Sequence, residues 1–241
     1  MTNKVLLNNI DHQDLRVVPR HGREHGDSVN QMLVFPTEFE ALQREYPIFF
    51  RRGEEGEYQA VVLLGLDRDE NLFLEADGSW NGRYVPALAA RGPFSIGLQR
   101  GPGGEPGEPM IHIDLDDPRV GRSEGEPLFL PQGGNAPYLQ LVAGRLGDIY
   151  DGMELAREMF AAFEAAGLIE PVKLEVMLSD TERYDLEDYC SIAADALAEL
   201  DGDRLAALNR AGHRRAAFLC LASQANVERL IALKTMKRQS G

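Results

Sequence analysis

Short apolar runs crowd the stretch from Tyr46 to Phe94, which reads YPIFF at 46–50, AVVLLGL at 60–66 and ENLFLEADGSWNGRYVPALAARGPF at 70–94. Each run has strand length and is flanked by turn residues. The pattern predicts strands over 48–51, 59–66 and 71–75, linked as antiparallel hairpins through RRGEEGEY and through 67–70. Ala76-Asp77-Gly78-Ser79 reads as a tight turn and Asn81-Gly82 as a second one, ahead of a short helical turn after Pro86 and a strand over 94–99. Upstream, the pattern allows weak strands at 5–7 and 15–18, a strand over 32–35, and a short helix capped by Thr37 with Glu40 three residues on. Downstream, 101–109 is a Gly/Pro loop between strands, followed by strands over 110–115 and 128–130.

Beyond Tyr138 the period changes. Ile149, Met153, Ala156, Phe160 and Phe163 recur at three- and four-residue spacing, one stripe of a helix that Asp151 and Glu154 cap and that Gly167 and Pro171 end. Residues 172–178 and 184–192 pair as a hairpin. Helices follow over 193–200, 204–211 and 214–237, the last with a break near Asn226. The expected fold is α+β in a single domain over 1–241: a mainly antiparallel sheet in a β-rich part, 1–135, with a mainly helical part, 136–241, packed on it.

Composition narrows the partners. A net charge of −14 opposes binding to phosphate backbones, so no nucleic acid is expected. Nine carboxylates between Asp180 and Asp203 face one arginine, Arg183, which reads as a solvated face or as a docking surface for a basic partner. The longest apolar stretch, 60–66, is far short of the roughly 20 residues of a membrane span, so no membrane insertion is expected. The amino terminus lacks the apolar block of a signal peptide, which implies a cytoplasmic protein. Cys190 and Cys220 read as reduced thiols.

Four constellations carry candidate chemistry. His21, Glu24 and His25 spell HxxEH, but Pro19, Gly22 and Gly26 place them in a polar loop, not on the rigid helix that a zinc peptidase needs. His112 and Asp114, with His213 far along the chain, imitate the facial triad of non-haem iron oxygenases. Asn71, Asp77, Trp80, Tyr84 and Arg91 could line a pocket for a planar or peptide-like ligand, or could simply hold turns and cap the core. Cys220 sits in AAFLCLAS, an apolar context that disfavours a thiolate beside His213.

The runs YPIFF, LLGL, ENLFLEADGSWNGRYVPA and PF, with PLFLPQGG at 127–134, resemble the SapC family of bacterial proteins. The resemblance runs from Leu15 to Leu233 and is densest over 71–94. It departs at 90–94, where Gly92 stands in place of the tyrosine common in members. It implies no catalytic residues; members are often encoded near flavin-dependent halogenases, cupin-like oxygenases and outer-membrane receptors, which is association and not chemistry. The expectation is a non-catalytic cytoplasmic binding or accessory protein, without a cofactor, that recognises a peptide, a protein or a small aromatic metabolite at Asn71, Asp77, Trp80, Tyr84 and Arg91. The alternative is an iron oxygenase using His112, Asp114 and His213.

Overall fold

The computed structural model describes residues 3–100, 106–179 and 182–240. In chain order the strands are β1 (Lys4–Leu6), β2 (Arg16–Val17), β3 (Gln31–Val34), β4 (Ile48–Arg52), β5 (Tyr58–Leu63), β6 (Phe94–Arg100), β7 (Pro106–Asp114), β8 (Val120–Gly121), β9 (Glu126–Pro127), β10 (Ile169–Ser179) and β11 (Glu182–Ile192). The helices are α1 (Phe39–Leu42), α2 (Ala87–Ala90), α3 (Pro137–Ala166), α4 (Ala194–Ala198), α5 (Gly202–Arg210), α6 (His213–Ser223) and α7 (Val227–Ser240). The protein is a mixed α+β fold, with antiparallel sheets mostly in the N-terminal half and helices in the C-terminal half.

A five-stranded antiparallel sheet runs β10-β11-β4-β5-β3. Ile48 to Phe50 and Ala60 to Leu64 are buried without alternation, because these strands lie in the middle of the sheet with both faces covered. The β10–β11 hairpin alternates along much of its length and, among the described residues, pairs with β4 where Cys190 faces Phe50. Two three-stranded sheets, β1-β7-β6 and β8-β2-β9, form a second unit of packing. Helix α3 serves both: Leu139, Val142, Leu146 and Ile149 bury against the small sheets, while Met159, Phe160 and Phe163 bury against the large one.

Several expectations shift. Residues 71–75 do not form a strand: buried Asn71 accepts the Phe73 N–H with its side chain at 3.0 Å, an Asx turn that replaces a ladder bond, and a single bridge links Leu74 to Trp80. In place of the expected strand at 128–130, the two-residue β9 lies just before it, Leu128 and Phe129 are core, and Phe129 makes a single bridge to Asn135. Helix α3 starts at Pro137, whose fixed φ suits a first helical position, so Asp151 and Glu154 are mid-helix and Met153 is exposed. Gly167, in the left-handed region, ends it as expected. Thr37 is not a cap; its hydroxyl donates to the Asp148 carbonyl, while the Glu38 carboxylate accepts the Phe35 N–H. Residues 106–109 belong to β7, and 101–105 lie outside the described residues.

The C-terminal segment also corrects the reading from apolar runs. By length and composition, 213–239 is long and apolar enough to cross a membrane. Here it breaks at a 3-10 turn over Gln224–Asn226, near the expected place, and buries Ala217, Cys220, Leu230 and Leu233 in the large core. Two of its charges are bound inward: Lys234 pairs with Asp67 and Glu70, and Arg229 with Glu45.

Candidate functional site

The turn at 76–79 is held by its own chemistry. Asp77 accepts the Ser79 N–H at 2.9 Å, and hydrogen bonding to Ser79 keeps this exposed carboxyl below the usual range. Gly78 lies at φ 82°, and a Cβ there would stand 2.7 Å from the His21 carbonyl, so glycine lets the turn dock on the 20–24 loop. His21 returns a backbone bond to Gly78 at 3.2 Å. Beneath, Asn71 donates to the Asp27 carbonyl at 2.8 Å and the Asp27 carboxylate accepts the Gly22 N–H at 3.0 Å, tying the two loops together.

Trp80 is half-buried between them. Its Nε1 donates to the Tyr46 hydroxyl at 2.7 Å, its ring stacks on Phe73 at 6.5 Å, and the His21 ring meets it edge-on at 5.3 Å. The Tyr46 hydroxyl donates in turn to the Tyr84 carbonyl at 2.6 Å. The Tyr84 hydroxyl donates to Glu38 at 3.0 Å and accepts from Arg145, whose guanidinium lies 4.8 Å over the ring.

Two buried carboxylates anchor this network. Glu38 accepts from Phe35, Ala87 and Tyr84; burial raises its pKa while those donors pull it back. Glu45 takes the Arg83 N–H at 3.0 Å on both oxygens and Arg229 at 3.0 Å. Burial pushes both Tyr46 and Tyr84 well above the ordinary phenol range, so neither gives up a proton near neutrality. The arrangement fixes shape and offers no free nucleophile beside a base.

Of the five residues predicted to share a site, Trp80 and Tyr84 meet through Tyr46, Asn71 and Asp77 hold the adjoining loops, and Arg91 lies elsewhere. Arg91 donates to the Phe94 carbonyl at 2.6 Å and sits within electrostatic reach of Arg119. Sequence reasoning missed Glu38, Glu45 and Arg229. The two glutamates, seven residues apart beside Phe39 and Leu42, were visible as carboxylates on an apolar helical face.

The oxygenase triad does not assemble. His112 and Asp114 lie on β7 in the small sheets, whereas His213 opens α6 in the large core, edge-on to Phe163. Among the described residues no group of three or more His, Cys, Asp or Glu side chains is placed to hold a metal ion. The HxxEH residues form a 3-10 turn that sends His21 to Trp80 and buries the His25 side chain fully. Cys220 is buried and its thiol pKa is driven far up by desolvation.

Two open hollows lie beside the turns on either side of Trp80, which itself lines neither. One of about 940 Å³ is lined by the 20–24 loop, Ser28, residues 68–71 and 74–78, and Lys237. The other, about 710 Å³, is lined by Ala41, Arg44, Glu45, residues 81–84 and Arg229. The family model described as SapC matches residues 7–230. The chain belongs to the SapC family. No curated protein and no solved structure matches this SapC chain. The match takes in both loops, Trp80 and the whole carboxylate network.

Proposed function

We propose that this SapC-family chain is a non-catalytic binding protein that takes a peptide, free or as an extended segment of a partner protein, in the larger hollow. The observation that supports this reading is the lining: Arg23, Arg68 and Lys237 stand among Glu24, Asp69, Glu75 and Asp77. Both charge signs in one open depression suit a chain that carries donors, acceptors and mixed side chains. The volume is within the roughly 300–1,000 Å³ of ligand pockets. Walls tied by Asn71, Asp27 and Gly78 are pre-organised, which lowers the ordering cost of binding.

Calorimetry against a pool of tryptophan-free peptides tests this. Saturable binding is expected, weakened up to about fivefold by Asp77→Asn, which keeps the turn's acceptor but removes a screened charge. No saturable heat with any peptide, or affinity unchanged in an Asp77→Asn/Arg68→Gln double variant, contradicts it.

A further inference from the structure

A third, smaller cavity is also lined by His21. It measures about 140 Å³ and sits between the 18–21 segment, the turn from α2 into β6, and the first turn of α3. Its polar groups are unusual for a chain of net charge −14: the side chains of Arg20, His21, Arg119 and Tyr138 line it, and no carboxylate does.

Arg119 is 7% exposed and spends Nε and Nη2 on Asp117, at 2.9 and 2.7 Å. Its Nη1 has no hydrogen-bond partner among the described residues, and neither has the Tyr138 hydroxyl. Both groups converge on Gly92: a Cβ built there would lie 3.9 Å from Arg119 Nη1 and 3.9 Å from the Tyr138 oxygen. A side chain at 92 would therefore come into van der Waals contact with both donors. Behind them the Arg91 Nε is buried without a partner and adds like charge beside Arg119. Burial pushes the Tyr138 phenol up to about 12, so it remains a donor at any physiological pH.

We propose that this cavity binds a small monocarboxylate with a short aliphatic tail. One oxygen takes Arg119 Nη1 and the other takes the Tyr138 hydroxyl, both charge-assisted bonds. The carboxylate supplies acceptors to the two unpartnered donors, and the tail packs on Val18, Val85, Ala89 and Leu141. Phosphate suits the site less well, because its further oxygens would face those apolar walls without donors. The cavity is well below the roughly 300–1,000 Å³ of drug-sized pockets, which limits the ligand to a few heavy atoms. This reading is independent of the peptide hollow, since Arg119 and Tyr138 do not line it.

The test is a titration of the whole protein with sodium propionate at constant ionic strength, set against sodium phosphate and sodium chloride and followed by calorimetry and thermal unfolding. Propionate is expected to bind saturably and raise the melting temperature, with Tyr138→Phe weakening it about tenfold. Arg119→Gln should abolish binding; because it also breaks the pair with Asp117, Ala90→Leu, which fills the cavity and leaves every charge in place, provides a second loss-of-binding variant. An absence of saturable propionate binding, an equal response to chloride, tighter binding of phosphate, or full affinity in both Tyr138→Phe and Ala90→Leu overturns the proposal.

Discussion

Trp80 spends its one polar hydrogen on Tyr46, and Tyr46 spends its own on the Tyr84 backbone. Replacing Trp80 with Phe keeps the stacking on Phe73 but leaves the Tyr46 oxygen without its donor. The expected cost is about 1–2 kcal/mol, read by urea unfolding monitored by circular dichroism. His25 presents the opposite case. Its side chain is fully buried, neither ring nitrogen has a hydrogen bond, and Glu24 stands 3.5 Å from Nε2 without forming one. Burial first, then Arg119, lowers its pKa, with Arg20 acting the same way and Glu24 and Asp117 opposing; burial lowers that of His213 as well. A depressed histidine takes its proton later in the folded chain than in the unfolded one. Its contribution is therefore intact above the ordinary value of 6.5 and is lost as the pH falls below it. His25→Leu is expected to raise stability by about 1 kcal/mol at pH 7 and to flatten the loss as the pH falls below about 6.5, measured as melting temperature against pH. A slope unchanged by His25→Leu would contradict that assignment.

At the scale of elements, α3 joins the two apolar clusters, and Gly152 sets how near it comes to the turn before α1. A Cβ at 152 would stand 2.5 Å from Phe35 Cβ and 2.8 Å from the Thr37 hydroxyl. Gly→Ala in a helix gains about 1 kcal/mol from backbone propensity, but here the clash displaces α3 from Phe35. Gly152→Ala is expected to destabilise by about 1–3 kcal/mol in denaturant unfolding, the reverse of what propensity predicts. Helix α7 is fastened by Lys234, 7% exposed at its side chain and bound to Asp67 and Glu70, while Glu70 also accepts the Leu66 N–H. Asp67 is half-exposed, so Lys234→Met should cost about 1–2 kcal/mol, less than the 3–5 of a fully buried broken pair. Hydrogen exchange in 227–240 should rise with it. The acidic stretch is partly consumed in the same way: Glu182 pairs with Arg238, and Asp201 caps α5 by accepting the Arg204 N–H.

For the molecule as a whole, the central strands, the β10–β11 hairpin and the break before α7 were legible because each rests on a local signal: an apolar run, an alternation, or polar residues interrupting a helix. The stretch 71–75 was not, because a buried side-chain amide at Asn71 imitates strand pairing that periodicity would assign to backbone. The start of α3 was hidden because its two halves serve different cores, so no single stripe runs its length. The same limit applied to the site. Trp80, Tyr84, Asn71 and Asp77 stand out by residue type within one segment; the fold sets Asn71 and Asp77 in the two tied loops and joins Trp80 to Tyr84 through Tyr46. Arg91 has the right chemistry and the wrong neighbours, since α2 carries it to Arg119. His21 was conspicuous only as half of a metal-like motif, yet it meets the Trp80 ring and lines both the 940 Å³ hollow and the 140 Å³ cavity.

That position offers a direct test of the binding reading, because Trp80 is the sole tryptophan and the His21 ring edge touches it. Emission of Trp80 titrated with the pooled tryptophan-free peptides should shift saturably, and the shift should disappear in His21→Ala while that variant retains its fold by circular dichroism. Emission that stays constant through saturating peptide, or a shift equally large in His21→Ala, would contradict a ligand site in the hollow beside the indole.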